Sequence, residues 1–142
     1  MTALRALERE RSRWERAALA DEAAGLERFT VNGATVVVGA LREAGPEAMR
    51  SVAEGLRDGL GSAAVVLGTL AGGKPFFVAA LSQDLVERGA AAGAVLREVA
   101  RLAGGGGGGR PDFAQAGGRD ASRLPAALDL ARQLLVEKLS PT

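Results

Sequence analysis

The chain has 142 residues, 47% hydrophobic and 25% charged, enough for one globular domain that buries most of a compact core. Its net charge of +1 provides no global polyelectrolyte field, so any nucleic-acid binding has to use a local patch. The absence of His and Cys excludes a thiolate nucleophile, a Ser-His pair and a zinc site built from nitrogen or sulfur ligands. No cleavable signal pattern follows Met1 and no apolar run nears about twenty residues, so the expectation is a cytoplasmic protein without a membrane segment. Sixteen of the eighteen basic residues are Arg, a bias that suits phosphate contact and base stacking but that a GC-rich genome or a warm habitat also produces.

From Met1 to about Arg28 the chain is rich in Ala, Leu, Arg and Glu, has no proline and balances six Arg against six acidic residues, which predicts a helix. Leu4, Leu7, Trp14 and Ala18 fall at helical spacing, with Arg11 interrupting the stripe and Asp21 ending it. So narrow an apolar face has to dock, on its own domain or on a partner helix, which makes Leu4, Leu7 and Trp14 candidate dimerisation residues. Gly25 and Gly33 mark the boundary between this arm, residues 1–28, and a globular domain, residues 31–142.

Ala34 to Leu41 is a short Val-rich run bounded by turn residues, the pattern of a buried strand. Gly45-Pro46 then opens a helix whose apolar face is Met49, Val52, Ala53, Leu56 and Leu60, closed by Gly61. Ala63 to Ala71 and Pro75 to Leu81 read as two more strands around a Gly72-Gly73-Lys74 turn. The first two strands are expected to be parallel through a right-handed crossover, the second pair antiparallel. Ser82 and Asp84 offer caps for a helix from about Asp84 or Gly89 through Leu102, on which Arg97 and Arg101 share a face toward the same end of the domain as Arg110. Ser122 is expected to cap a final helix with Pro125 in its first turn and a stripe of Leu124, Leu128, Ala131, Leu135 and Leu139. The order predicts an α/β (α+β) fold, a mixed sheet packed by helices after a helical arm.

Between the last two helices, Gly104 to Gly118 reads GGGGGGRPDFAQAGG. Six glycines are also linker composition, but Pro111 fixes a backbone angle, Phe113 offers an anchor and Gln115 stands between Ala114 and Ala116, so the tract reads as an anchored loop. It lacks the Lys-Ser/Thr of a phosphate loop and follows a helix, not the strand a dinucleotide fingerprint requires. Asp112 and Asp120 have no metal or acid–base spacing. Residues 97–123 carry five Arg against Glu98, Asp112 and Asp120, a modest local basic excess around a side-chain-free backbone.

The stretch GGGGGGRPDFAQAGGRD, residues 104–120, closely resembles the C-terminal globular domain of alanyl-tRNA synthetase, of the DHHA1 type shared more distantly with DHH-family phosphodiesterases. The resemblance extends from about Val31 to Leu139 and includes DLVERGAAAG at Asp84 to Gly93. It implies a DHHA1-like, cytoplasmic tRNA-binding appendage that contacts the outer corner of alanine tRNA, with the helical part supporting a dimer in many bacterial members. It also implies a non-catalytic piece. ATP, magnesium and zinc belong to upstream synthetase domains, which become partners, and no cofactor, metal, membrane or DNA is expected for this chain. Gly107, Gly108, Gly109, Arg110, Pro111, Asp112, Ala114, Gln115, Gly117 and Gly118 fall on the family signature. Gly106 departs from it where many members have a basic or polar residue, and Arg110 stands where the phosphodiesterases carry His. The expected RNA-binding residues are therefore Arg97, Arg101, Gly107, Gly108, Gly109, Arg110, Gln115 and Arg119. A module that only dimerises or docks on a synthetase is the alternative, and a substrate-binding half of a phosphodiesterase is a third reading.

Overall fold

The computed structural model describes residues 3–140; residues 1, 2, 141 and 142, at the outer ends of the two sequence ranges, lie outside it. Helix α1 (Ala3–Ala24) gives way to strand β1 (Arg28–Val31), so the sheet begins three residues earlier than the Val31 body boundary drawn from the glycines. Asn32-Gly33, with φ of 48° and 82°, turns the chain into β2 (Ala34–Ala40), since both positions of this tight hairpin turn need left-handed backbone. Helix α2 (Pro46–Leu60) crosses to β3 (Ala63–Ala71), which is parallel to β2. Gly72-Gly73 then reverses the chain into antiparallel β4 (Lys74–Leu81). Strand β1 has no counterpart in the sequence expectation, whereas β2, α2, β3 and β4 match it.

After β4 the chain departs from it. The single helix expected up to Leu102 is two, α3 (Gln83–Glu87) and α4 (Ala92–Leu102), because Gly89 takes φ +97°, outside any helix. The glycine tract is not a loop but a strand, β5 (Gly106–Gly109), hairpinned to β6 (Phe113–Gly117). Ser122 does not cap the last helix; its N–H and Oγ both donate to the Asp120 carboxylate, at 3.0 and 2.6 Å, which starts a 3-10 turn (Ala121–Arg123) ahead of α5 (Leu124–Leu139). The six-stranded sheet has the order β1-β2-β3-β4-β6-β5, with only β2 and β3 parallel.

Alternation along the strands divides the core in two. Val36, Val38, Ala64, Val66, Phe77, Ala79, Ala114 and Ala116 face α4 and α5. Val37, Val65, Leu67, Val78, Ala80 and Phe113 face α2 and the end of α1, where Leu19 and Ala23 are buried. All five residues of the expected α5 stripe are buried. Each fully buried large apolar side chain contributes roughly 1.5–3 kcal/mol, so the centre of the sheet carries most of the stability. Among the described residues Thr69 is the only buried polar side chain, and its Oγ1 donates to the Arg42 carbonyl at 2.7 Å. The rest of α1 projects: Leu4, Leu7 and Trp14 are 66%, 62% and 70% exposed.

Candidate nucleic-acid interface

Strand β5 is built of four glycines at the sheet edge, and at two of them, Gly107 and Gly109, no larger residue fits. Gly107, Gly108 and Gly109 hold φ of 155°, 154° and 158°, a region that residues with a Cβ rarely enter. A Cβ on Gly107 would stand 2.5 Å from the Ala116 Cα, and one on Gly109 2.8 Å from the Ala114 Cα. The opposite flank is as close: a Cβ on Gly93, in α4, would meet the Gly109 carbonyl oxygen at 2.5 Å. Helix α4 therefore lies directly on bare strand backbone. Gly106 differs from its neighbours, with open space where its side chain would be.

The ends of this edge are fastened by main-chain bonds. Ala92 and Gly93 N–H donate to the Pro111 and Arg110 carbonyls, at 2.9 and 3.2 Å, so the first turn of α4 is occupied by the β5–β6 connection. At the other end Gly105 N–H donates to Ala100, while Arg119 and Asp120 N–H both donate to the Ala103 carbonyl. As an outermost strand, β5 pairs on one side only, leaving alternate N–H and C=O groups directed away from β6.

The eight residues read from the sequence do not form one cluster. Gly107, Gly108, Gly109 and Gln115 sit together, Gln115 being the exposed register partner of Gly108. Arg110 continues directly from the strand, 68% exposed and 3.4 Å from Asp112. Arg101 and Arg119 lie at the opposite end of β5, by Gly104 and Ala103, so Arg101 does not share an end with Arg110 as expected. The antiparallel run of α4 along the glycine strand separates them. Arg97 is exposed midway along α4. Arg101 meets Glu98 at 3.4 Å, and Arg123, at the same end, meets Asp120 at 3.3 Å. The Ser122 hydroxyl and N–H, then Arg123, hold the Asp120 carboxyl below its ordinary range, keeping it an anion. Exposed pairs of this kind are weak, so a phosphate can exchange with the carboxylates at little cost.

Sequence reasoning passed over two participants. Gly93 was visible as a glycine inside a helical run, the sign of a close backbone approach. Arg50 had no such sign; only the fold brings its guanidinium 4.6 Å from the centre of the Phe113 ring. Among the described residues no group of acidic side chains is arranged to hold a metal ion, and no helix is long and apolar enough to cross a membrane.

Residues 33–137 match the DHHA1 domain, and the chain belongs to that family. Within it the likeness is to alanyl-tRNA synthetase. The crystal structure of the C-Ala domain from Aquifex aeolicus alanyl-tRNA synthetase superposes with a TM-score of 0.69 and 34% identity, over 82% of this chain and 100% of that one. The alanine–tRNA ligase of Dehalococcoides mccartyi strain BAV1 is 38% identical over 133 residues, which are 94% of this chain and 15% of the ligase. That of Acetivibrio thermocellus is 43% identical over 110 residues, 78% of this chain and 12% of the ligase. The chain thus spans a small part of these ligases and matches the C-Ala domain of the Aquifex synthetase, which fits a non-catalytic portion. RecJ from Thermus thermophilus shares the fold, at a TM-score of 0.66 and 16% identity.

Proposed function

We propose that the chain is the tRNA-binding module of a cytoplasmic alanyl-tRNA synthetase, holding alanine tRNA by its outer corner for domains that lie elsewhere in the ligase. ATP, magnesium and zinc belong to those domains on this reading, and the module itself breaks no bond. The observation that carries it is the edge strand β5: exposed, free of side chains, and flanked by Arg110 at one end and Arg101 and Arg119 at the other. A nucleic-acid backbone can approach such an edge closely, its phosphates meeting guanidinium groups while strand N–H groups donate to it. Labelled tRNA titrated against wild type and Arg110→Ala at two salt concentrations tests this. The variant is expected to bind several-fold more weakly and to reduce the slope of log K against log salt by about 1. Equal affinity and slope would remove Arg110 from the interface.

The exposed Leu4, Leu7 and Trp14 favour a second role, contact between two copies or with upstream synthetase domains through α1. Sedimentation of wild type against a Leu7→Glu, Trp14→Glu variant measures the first of these. A self-associating arm yields a lighter species in the variant, and identical sedimentation removes the dimer.

A further inference from the structure

The two faces of the β6–β5 hairpin are treated differently by the rest of the fold. Helix α4 covers one, burying Ala114 and Ala116. On the other, α2 packs on β3 and β4, and Gln115, next along β6 from the buried Phe113 on that face, is exposed. Its register partners are buried Val78 and Gly108, and two residues along β6 Gly117 lies between half-buried Phe76 and Gly106, which has open space in place of a side chain. The result is a flat shelf of strand backbone bearing one amide. Arg50 of α2 stands at its edge: the guanidinium lies 4.6 Å from the centre of the Phe113 ring, and Nε meets Glu54 at 2.7 Å.

We propose that this shelf is a nucleobase-stacking site in which Arg50 and Gln115 receive an unstacked RNA base, an inference that rests on the tRNA-binding reading above. A guanidinium fixed by a ring on one face and a carboxylate at its edge is immobilised in advance, and its half-exposed side chain leaves a planar cation surface for a second planar group. The Gln115 amide offers both a donor and an acceptor to a base edge, and the glycines beside it leave room for the base plane. Charge selects the occupant. Arg110 N–H donates to the Phe113 carbonyl, which makes the two residues cross-strand neighbours, so a base on Arg50 would have a second cation within reach of its phosphate. A polypeptide strand would have no use for two cations and a stacking plane.

The test compares tRNA binding by wild type, Arg50→Lys and Gln115→Ala at two salt concentrations, with melting temperatures recorded for all three. Lysine keeps the charge and the reach to Glu54 but loses the plane. Arg50→Lys is expected to weaken binding about tenfold, within the range for loss of one stacked base, while the salt slope stays at the wild-type value. Gln115→Ala is expected to weaken binding severalfold, and chemical probing should show one unpaired base protected by wild type and released by Arg50→Lys. Wild-type affinity in Arg50→Lys, a changed slope, or no protected base would overturn the stacking site while leaving the tRNA-binding module intact. Failure of wild type to bind tRNA would overturn both.

Discussion

In β3 seven consecutive residues, 63–69, are buried on both faces of the sheet, while three of the four residues of β5 are exposed and none has a side chain to bury. Strand β3 is held by apolar area: Val65, Val66 and Leu67 each lie against helices. Strand β5 is held by what cannot fit, since β6 comes so near Gly107 and Gly109 that a methyl group on either collides. A strand secured by area tolerates exchange of one apolar residue for another, whereas one secured by closeness tolerates only glycine at its points of closest approach. That second mode also leaves the backbone bare to a ligand, which is why the candidate interface sits there.

Leu67→Ala should have the largest effect, about 2–5 kcal/mol in denaturant unfolding, because it opens a cavity in the α2-facing core. Gly107→Ala should come next at about 3 kcal/mol, although it adds an atom and removes none, from the combined cost of an unfavourable φ and a 2.5 Å approach to Ala116. Gly106→Ala, one residue away, should stay within about 0.5 kcal/mol, because its Cβ enters open space. Equal losses at Gly106 and Gly107 would show that β5 is held by something other than steric closeness, and would break the contrast with β3.

The same contrast explains how much of the molecule was legible in the sequence. Strands β2, β3 and β4 and helices α2 and α5 announce themselves because burial writes a periodic pattern into side chains. Strand β5 cannot, since glycine carries no hydrophobic pattern, and β6, FAQAG, is too short and too rich in small residues to stand out from the loop around it. Strand β1 was recoverable: Asn32-Gly33 is a strong short-range hairpin signal, but the segment before it, RFTV, is only half-buried at an edge. At the interface the family signature indicated the glycines, Arg110 and Gln115. It could not reveal that Arg101 and Arg110 lie at opposite ends of a strand, because that follows from the direction in which α4 packs. Arg50 was hidden for a related reason. Within its own helix it is an ordinary i,i+4 partner of Glu54, and its distinction comes from a ring much later in the chain.

Helix α1 is anchored near its end, where Leu19 and Ala23 are buried and the Glu22 carboxylate accepts from Arg42 N–H at 3.0 Å and Nε at 2.6 Å. From Leu19 back to Leu4 is roughly 22 Å of helix at 1.5 Å per residue, so a tilt of about 10° at the attachment swings Leu4 by about 4 Å. Geometrically the arm is a lever with its fulcrum at this attachment. Small adjustments around Leu19, Ala23 and the Glu22–Arg42 pair would be magnified several-fold at Leu4, so the direction of the arm is set by a few side chains far from the glycine strand.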